Sequence, residues 1–276
     1  MKKIVKYAFV IMAAVYIVFC TLVYFCPQYF FYNPTHRASN LEYARQNGYP
    51  AERVDYKSAD GKELYAWYTA PGYQHKIIVF MHGNSYNIEK FYHKMIPFVE
   101  AGYGTLMPEY RGFGDISGRI RQQNLENDAL AAVNYLHSLG YKNSDIVIYG
   151  MSLGSHMAVN TVWQLQKKEP FAALVLEVPF DSLLNTVKAV VPVPLPFDYI
   201  VRDKYDNTSM IKDIRSPVLV MGGSLDPTVP VRLAKNLFAL APQPKKMIIY
   251  EGGAHNDLYN FRNYNDILNL LAKGKQ

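Results

Sequence analysis

The feature that most constrains the fold is a series of short apolar runs separated by longer segments with helical periodicity. The helical segments cover about 87–102, 122–139 and 152–167. The apolar runs are "KIIVFMH" (76–82), "GTLMPEY" (104–110), "DIVIYG" (145–150), "AALVLEVP" (172–179), "SPVLVMGG" (216–223) and "KKMIIYEGG" (245–253). Runs this short and this apolar are typical of strands buried on both faces. Their alternation with helices predicts an α/β fold, a parallel sheet with helices on both faces.

One alternating stretch precedes these runs. In "RVDYKSADGKELYAWY" (53–68), apolar and polar residues alternate on either side of Asp60-Gly61, a pair that favours a tight hairpin turn. The chain has 276 residues, half of them hydrophobic, which is enough for one large core. We therefore expect a single α/β domain over 51–276, whose mostly parallel sheet begins with an antiparallel hairpin.

The N-terminus carries a separate signal. Residues 7–26 contain no charged side chain and, as a helix, reach about 30 Å, the thickness of a bilayer's hydrocarbon core. Lys2, Lys3 and Lys6 precede this run. We interpret 1–26 as an uncleaved transmembrane anchor. The alternatives are a cleaved signal peptide, whose apolar region is shorter and ends in a small-x-small site, and a buried core helix.

The charges also predict orientation and partners. Because basic residues are retained on the cytoplasmic side, we expect the N-terminus in the cytoplasm and the domain on the far side, the periplasmic side in a bacterium. Cys20 and Cys26 both lie inside the span, so the domain has no thiol for a disulfide or a nucleophile. The net charge of +6 includes the N-terminal lysines, and the remaining excess does not favour a nucleic-acid partner.

Two segments depart from the alternation. Residues 27–50 are polar and aromatic, with prolines, and we expect a connector between anchor and domain. Residues 180–215 separate two predicted strands by more than one helix requires, and they contain the apolar, proline-rich "VVPVPLPFDYIV" (190–201). Such an insertion predicts a short lid or binding loop, with a packed irregular connection as an equal alternative.

The stretch "YGMSLGSH" (149–156) places Ser152 between a predicted strand and a predicted helix. A G-x-S-x-G pattern at this junction is typical of a nucleophile elbow. The turn is so tight that the serine backbone is strained, and side chains at Gly150 and Gly154 would clash across it. The alternative is a helix N-cap serine flanked by packing glycines. The strand–turn–helix context favours Ser152 as a nucleophile.

A serine hydroxyl needs a base, and an elbow predicts the order Ser, acid, His in loops after successive strands. His255, in "GGAHNDLY" (252–259), follows the last predicted strand and is the candidate base. His156 also follows Ser152, but it stands on the same helix, where a packing or surface role is expected.

The acid is expected after the preceding strand. "VLVMGGSLDPTVP" (218–230) places Asp226 there, where a carboxylate would hold the imidazole in the correct tautomer. Asp257, two residues past His255, is a candidate supporting partner. Asp181, which follows an earlier strand, is a less favoured substitute for Asp226.

An oxyanion hole completes such a site. One backbone N–H is expected from Leu153, after the nucleophile, and the other from Asn84 in "HGNSYN" (82–87). His82, at a strand end, is expected to brace that loop. The spacing of the histidines and carboxylates does not support a metal site, and this chemistry needs no cofactor.

On these motifs the chain resembles the α/β-hydrolase superfamily, and within it the single-span membrane-anchored hydrolases of the serine-aminopeptidase-like branch. The matching stretches, in family order, are "HGN" (82–84), "YRGFGDISG" (110–118), "YGMSLGS" (149–155), "LEVPFDS" (176–182), "GGSLDPTVP" (222–230) and "GGAHND" (252–257). The resemblance implies an α/β-hydrolase fold from about residue 53 onward, with Ser152, Asp226 and His255 as a catalytic triad.

Two departures from the family pattern bear on the pocket. Relatives often have small residues where this chain has Ser85 and Tyr86, so Tyr86 is predicted to cover the site partly or to shape an acyl pocket. Relatives often have Asp at the position of Glu109. Arg111, two residues later, is expected to tie loops together.

The sequence therefore predicts a membrane-anchored serine hydrolase that cleaves a carboxylic ester or thioester through an acyl-enzyme. The anchor and the apolar insertion favour a small-molecule, acylated or lipid-like substrate. A peptidase or amidase with the same triad is one alternative, because the motifs do not distinguish these bonds. A non-catalytic, membrane-tethered binding protein on the same fold is another, because a fold alone does not establish catalysis.

Overall fold

A central sheet of eight strands organises the domain in the computed structural model, which describes residues 2–193 and 195–273. The strand order is β10-β9-β8-β7-β4-β6-β3-β2, and a separate two-stranded sheet pairs β1 with β5. The strands are β1 (Asn33–Pro34), β2 (Glu52–Lys57), β3 (Glu63–Thr69), β4 (Ile77–Met81), β5 (Ser85–Tyr86), β6 (Gly104–Pro108), β7 (Ile146–Met151), β8 (Ala173–Glu177), β9 (Val218–Gly223) and β10 (Lys245–Tyr250).

Helices lie along the chain between and beyond these strands. They are α1 (Lys2–Phe25), α2 (Gln28–Phe31), α3 (Leu41–Gln46), α4 (Ile96–Glu100), α5 (Gln122–Ser138), α6 (Leu153–Leu165), α7 (Leu183–Val190), α8 (Phe197–Ile200), α9 (Thr208–Ile211), α10 (Val231–Leu240) and α11 (Asn263–Lys273). Short 3₁₀ turns occupy Ile88–Lys90, Tyr92–Lys94, Asn143–Asp145 and Leu258–Phe261.

The central strand β4 shows how the sheet buries both faces. Ile77 and Val79 belong to an apolar cluster with α5, α6 and α10, whereas Ile78 and Phe80 belong to a second cluster with α4 and α11. All five residues of β4 are buried. Successive side chains of a strand point to opposite faces, so helices cover both sides of the sheet. The predicted α/β architecture is confirmed.

The predicted hairpin is also confirmed. β2 and β3 pair in antiparallel register across Asp60-Gly61, with Lys57 opposite Glu63. Gly61 has a φ of +80°, a conformation that favours glycine. β3 pairs antiparallel with β6, and every pairing from β6 to β10 is parallel.

One predicted helix is wrong as a single element. The segment 87–102 forms the 3₁₀ turns Ile88–Lys90 and Tyr92–Lys94, and then the short helix α4. Pro97 stands in the first turn of α4. A proline has no N–H and disfavours helical backbone in the residue before it, so it can begin a helix but does not continue one.

The predicted connector, 27–50, packs on the domain. Strand β1 pairs in parallel with β5, and the hydroxyls of Tyr32 and Tyr205 share a buried hydrogen bond of 2.6 Å. Tyr49 is fully buried, and its hydroxyl lies 2.7 Å from that of Thr105. The segment between α1 and the hairpin therefore contributes to the core.

The predicted insertion, 180–215, contains α7, α8 and α9. Position 194 within it, like the C-terminal positions 274–276 of the predicted domain, lies outside the described residues. Val187, Phe197, Ile200 and Val201 of the insertion form a small apolar cluster with Val23 of α1. The insertion is thus packed against the end of the N-terminal helix.

Helix α1 exposes almost all of its apolar side chains. Its most apolar stretch has a mean hydropathy of 2.5 and is 6% buried. By length and composition α1 is able to cross a membrane, and a signal sequence would have the same properties.

Candidate active site

Ser152 occupies a strained turn between β7 and α6. Its φ of 54° and ψ of −119° lie in a region that residues with a side chain rarely adopt. Its N–H donates a 2.9 Å hydrogen bond to the carbonyl of Glu177, at the end of the neighbouring strand β8. The strain expected for a nucleophile elbow is therefore present.

The flanking glycines are required, although not for the same reason. A Cβ on Gly150 would collide with the carbonyl of Gly154, across the turn, as predicted. A Cβ on Gly154 would collide with the carbonyl of Met81, at the end of β4. The second glycine thus lets the helix start approach the adjacent strand, a close contact that the sequence pattern alone did not indicate.

The structure brings the three predicted site residues together. Nε2 of His255 lies 2.9 Å from the hydroxyl oxygen of Ser152, and Nδ1 lies 2.7 Å from Oδ2 of Asp226. The other oxygen of Asp226 accepts 2.8 Å hydrogen bonds from the N–H groups of Thr228 and Val229. These bonds hold the carboxylate so that it faces the imidazole.

Strand order explains why residues so far apart in sequence meet. Ser152, Asp226 and His255 follow β7, β9 and β10, which are parallel, so their carboxyl ends lie at one edge of the sheet. The three residues are 8%, 7% and 8% exposed. All three residues are therefore nearly buried.

The loop after β4 lies directly over the serine. A Cβ on Gly83 would be 3.4 Å from the Cβ of Ser152, so the backbone of this loop passes close to the hydroxyl. Asn84 follows in that loop, and Leu153 is the first residue of α6, where N–H groups have no partner within the helix. The predicted donors thus flank the serine, and their role as an oxyanion hole stays a prediction.

The segment that follows α1 holds this loop. The side-chain amide of Asn84 donates to the carbonyl of Phe31 at 2.8 Å, and the carbonyl of Asn84 accepts from the N–H of Asn33 at 3.0 Å. The N–H of Thr35 donates to the carbonyl of Tyr86 at 2.9 Å. Sequence reasoning missed this brace, since the paired segments are separated by about fifty residues and share no local pattern.

A buried ion pair beneath the serine was missed as well. The ammonium of Lys94 donates at 2.8 Å to one oxygen of Glu177, and the hydroxyl of Tyr149 donates to the other. Both charged side chains are nearly inaccessible. Burial raises the pKa of the Tyr149 hydroxyl well above its usual value, and the charge of Glu177 raises it further. The signal was a glutamate inside an apolar strand, which needs a buried partner.

His82 and Glu109 form a second buried contact next to the loop. Nε2 of His82 lies 3.1 Å from Oε1 of Glu109, and Nδ1 lies 2.8 Å from the carbonyl of Gly83. The other oxygen of Glu109 accepts from the N–H of Ile88 at 3.1 Å. The predicted bracing role of His82 agrees with this position.

Arg111 ties loops together, as predicted. Its guanidinium bonds to Asp128 at 2.9 Å and to Asp60, in the hairpin turn, at 2.6 Å. Hydrogen bonds from Arg111 and Ser58 hold the pKa of the Asp60 carboxyl well below its usual range. Burial raises the pKa of Asp128, although its bonds to Arg111 oppose that shift.

The remaining candidates lie elsewhere or act indirectly. His156 is buried and bonds to Asn207 and Glu126 at 2.8 Å each, which is a packing role. Asp257 accepts a 2.7 Å bond from the N–H of Ala254, the residue before His255, and so supports that loop.

The carboxylate of Asp181 accepts hydrogen bonds from the N–H of Ser182 and from the side-chain amides of Asn185 and Asn236, so it joins the start of α7 to α10. Tyr86 has a φ of 67° and is 47% exposed, with the ammonium of Lys90 5.4 Å from its ring centre. Its predicted contact with substrate stays a prediction. Among residues 2–193 and 195–273, His, Cys, Asp and Glu side chains form no group of three or more suited to a metal ion.

Solved structures share this architecture. An esterase of Pyrococcus furiosus superposes with a TM-score of 0.71 at 17% identity, covering 87% of this chain and 98% of the esterase. At that identity the likeness concerns the fold alone, and it confirms the α/β-hydrolase fold.

Sequence comparisons identify the family. An uncharacterized protein of Mycobacterium tuberculosis is 35% identical over 215 residues, which cover 75% of this chain and 74% of the relative. The lysophosphatidylserine lipase ABHD12 of Macaca fascicularis is 30% identical over 207 residues, which are 68% of this chain and about half (51%) of that lipase. The model of the prolyl oligopeptidase family matches residues 89–273. The chain is therefore an α/β hydrolase that belongs to the prolyl oligopeptidase family.

Proposed function

We propose that Ser152, His255 and Asp226 form the catalytic triad of a serine hydrolase that cleaves carboxylic esters or thioesters. The observation that carries the proposal is the continuous hydrogen-bonded chain from the serine hydroxyl through the imidazole to the carboxylate, at 2.9 and 2.7 Å. A serine hydroxyl becomes a competent nucleophile when such a base can take its proton.

The geometry supports a two-step reaction. As the Ser152 oxygen attacks the acyl carbon, its proton passes to Nε2 of His255, and Asp226 stabilises the imidazolium. The N–H groups of Asn84 and Leu153 donate to the oxyanion. His255 then gives the proton to the leaving alcohol or thiol, and the acyl group stays bound to Ser152.

In the second step water attacks the acyl-enzyme. Its proton passes to His255 and returns to Ser152, and the carboxylic acid leaves. The backbone N–H groups beside a helix start are suited to the developing negative charge, because they are fixed in place before the reaction begins.

Two observations favour an acylated or lipid-like substrate. One relative is a lysophosphatidylserine lipase, and the domain is attached to a helix able to cross a membrane. We therefore propose that α1 is an uncleaved anchor, with the N-terminus in the cytoplasm and the domain on the far side, close to membrane lipids. The lysines before the apolar run support this orientation.

A peptidase or amidase is the second candidate, because the family that matches is named for prolyl oligopeptidase. The same triad cleaves either bond. Purified protein assayed with matched ester, thioester and peptide substrates of one acyl group distinguishes them. We expect the ester or thioester to react with the higher kcat/KM, and a preference for the peptide would favour the second candidate.

The triad itself is tested with a fluorescent fluorophosphonate, which labels activated serines covalently. We expect the wild-type chain to label, Ser152→Ala and His255→Ala to fail although folded, and Ser155→Ala to label normally. Ser155 is buried one turn away on α6 and is a matched control. A folded wild-type protein that does not label would favour the non-catalytic binding protein instead.

A further inference from the structure

The apolar surface of α1 continues onto the loop that joins α7 to α8. We call residues 191–196, "VPVPLP", the proline loop. An open groove of about 500 Å³ separates it from the helix, and its lining is apolar on both sides. Its walls are Ile11, Met12, Val15, Tyr16 and Phe19 of α1, and Val191, Val193 and Leu195 of the loop.

The packing of α1 fixes this relationship. Val23 is 4% exposed and lies in a cluster with α7 and α8, the helices on either side of the proline loop. The carbonyl of Phe25, at the end of α1, accepts a 3.0 Å bond from Arg119. The guanidinium of Arg202 lies 4.9 Å from the ring centre of Tyr24. The loop is thus held alongside the helix.

Charged side chains lie at the domain end of α1, where Arg119 and Arg202 contact it, and on either side of the loop. The stretch 189–197 has no charged residue. Lys188 and Asp198 flank it and bond to each other at 2.7 Å. Tyr199, next in sequence, is 81% exposed, which is typical of an aromatic residue at a membrane interface.

The length of α1 determines how deep the loop lies. The apolar run 7–26 is only just long enough to cross a hydrocarbon core of about 30 Å, so all of it is needed for the crossing. Val15 precedes Phe25 by ten residues, which is about 15 Å along a helix axis. A segment that lies beside Val15 therefore lies inside the same hydrocarbon layer.

The backbone of the loop is suited to that environment. In hydrocarbon an unpaired N–H is costly, so loops there must satisfy their donors. Residues 192, 194 and 196 are prolines, which have none. The N–H of Val191 bonds to the carbonyl of Val187, and that of Leu195 to the carbonyl of Val193. Among the described residues of the loop, the N–H of Val193 is the one backbone donor with no hydrogen-bond partner in the loop or in α7.

We propose that the proline loop inserts into the hydrocarbon of the leaflet on the domain's side, so that lipid acyl chains fill the groove beside α1. This proposal rests on the anchor proposed above. Two apolar elements then hold the domain in one orientation on the membrane, and the insertion between β8 and β9 faces the lipids.

The test measures depth in the full chain, reconstituted in phosphatidylcholine nanodiscs. Cys20 and Cys26 are replaced by alanine, and a single cysteine carries a nitroxide at Val193→Cys, Val15→Cys or Leu139→Cys. Relative collision rates with oxygen and with a nickel chelate report depth. Val193 is half exposed and Leu139 is an exposed position at the end of α5, so neither substitution disturbs the core.

We expect the label at 193 to match that at 15, with high oxygen and low nickel accessibility, and the label at 139 to show the reverse. A label at Tyr199→Cys is expected at an intermediate depth. If the label at 193 behaves like that at 139 while the label at 15 stays in lipid, the loop proposal is overturned and the anchor stands. If the label at 15 collides frequently with the nickel chelate, α1 does not lie in the bilayer, and both the anchor proposal and the loop proposal are overturned.

Discussion

The side-chain amide of Asn84 donates a 2.8 Å hydrogen bond to the carbonyl of Phe31, six residues beyond the end of α1. The chain that leaves the helix therefore supports the loop proposed to stabilise the oxyanion. This contact links the segment after α1 directly to the candidate active site.

Asn84→Ala removes that contact and keeps the backbone N–H. We expect kcat for a fluorogenic ester to fall about tenfold, with KM little changed, because a slightly misplaced donor weakens stabilisation of the transition state more than substrate binding. Asn47→Ala is the matched control, since the Asn47 amide makes a 2.8 Å bond to a backbone carbonyl at the end of α3. Equal kcat values for Asn84→Ala and wild type would contradict the positioning role.

Lys94→Met leaves the carboxylate of Glu177 buried without its cation. We expect the free energy of unfolding to fall by about 3–5 kcal/mol, measured by chemical denaturation, because an unpaired buried charge is not compensated by solvent. The double variant Lys94→Met with Glu177→Gln removes both charges and should recover part of that loss. A double variant as unstable as the single one would show that packing of Lys94, rather than its charge, matters.

Gly154→Ala is expected to yield little folded protein, because the new methyl group would collide with backbone carbonyls of Met81 and His82, neither of which can move independently of β4. Gly140→Ala makes a useful comparison. Gly140 has a φ of +93° but open space around it, so its cost is the backbone strain of about 1–2 kcal/mol. Thermal unfolding of the soluble fractions compares the two variants. Similar melting temperatures for Gly154→Ala and Gly140→Ala would contradict the expected collision and show that the turn at Ser152 can relax.

Asp60→Asn tests the contact with Arg111 through pH. The folded-state pKa of Asp60 is depressed, so its contribution to stability is present above its unfolded value of about 3.9 and is lost as pH falls below it. The stability gap between wild type and Asp60→Asn should therefore be constant from pH 7 to about 5 and narrow toward pH 3. Because Asp60 is partly exposed, the gap should also shrink with added salt. A gap that does not change with pH would contradict an ionic contact.

Local sequence patterns predicted much of this structure. The predicted apolar runs form β4, β6, β7, β8, β9 and β10, and Asp60-Gly61 lies in the hairpin turn. The chain order of Ser152, Asp226 and His255 was enough to predict that they meet, since loops at the carboxyl ends of parallel strands share one edge. The single helix predicted over 87–102 was wrong, because hydrophobic periodicity does not show where a proline interrupts a helix.

Hydrophobic periodicity and turn preferences depend on residues that are close together in the sequence. The sequence by itself therefore determined the strands, the strained turn at Ser152 and the apolar length of α1. Tertiary structure alone decided that Lys94 neutralises Glu177, that β1 supports the loop of Asn84, and that the proline loop lies beside α1. Those contacts join segments that are far apart in the chain. Their partners depend on how strands and helices pack in three dimensions, which no local pattern specifies.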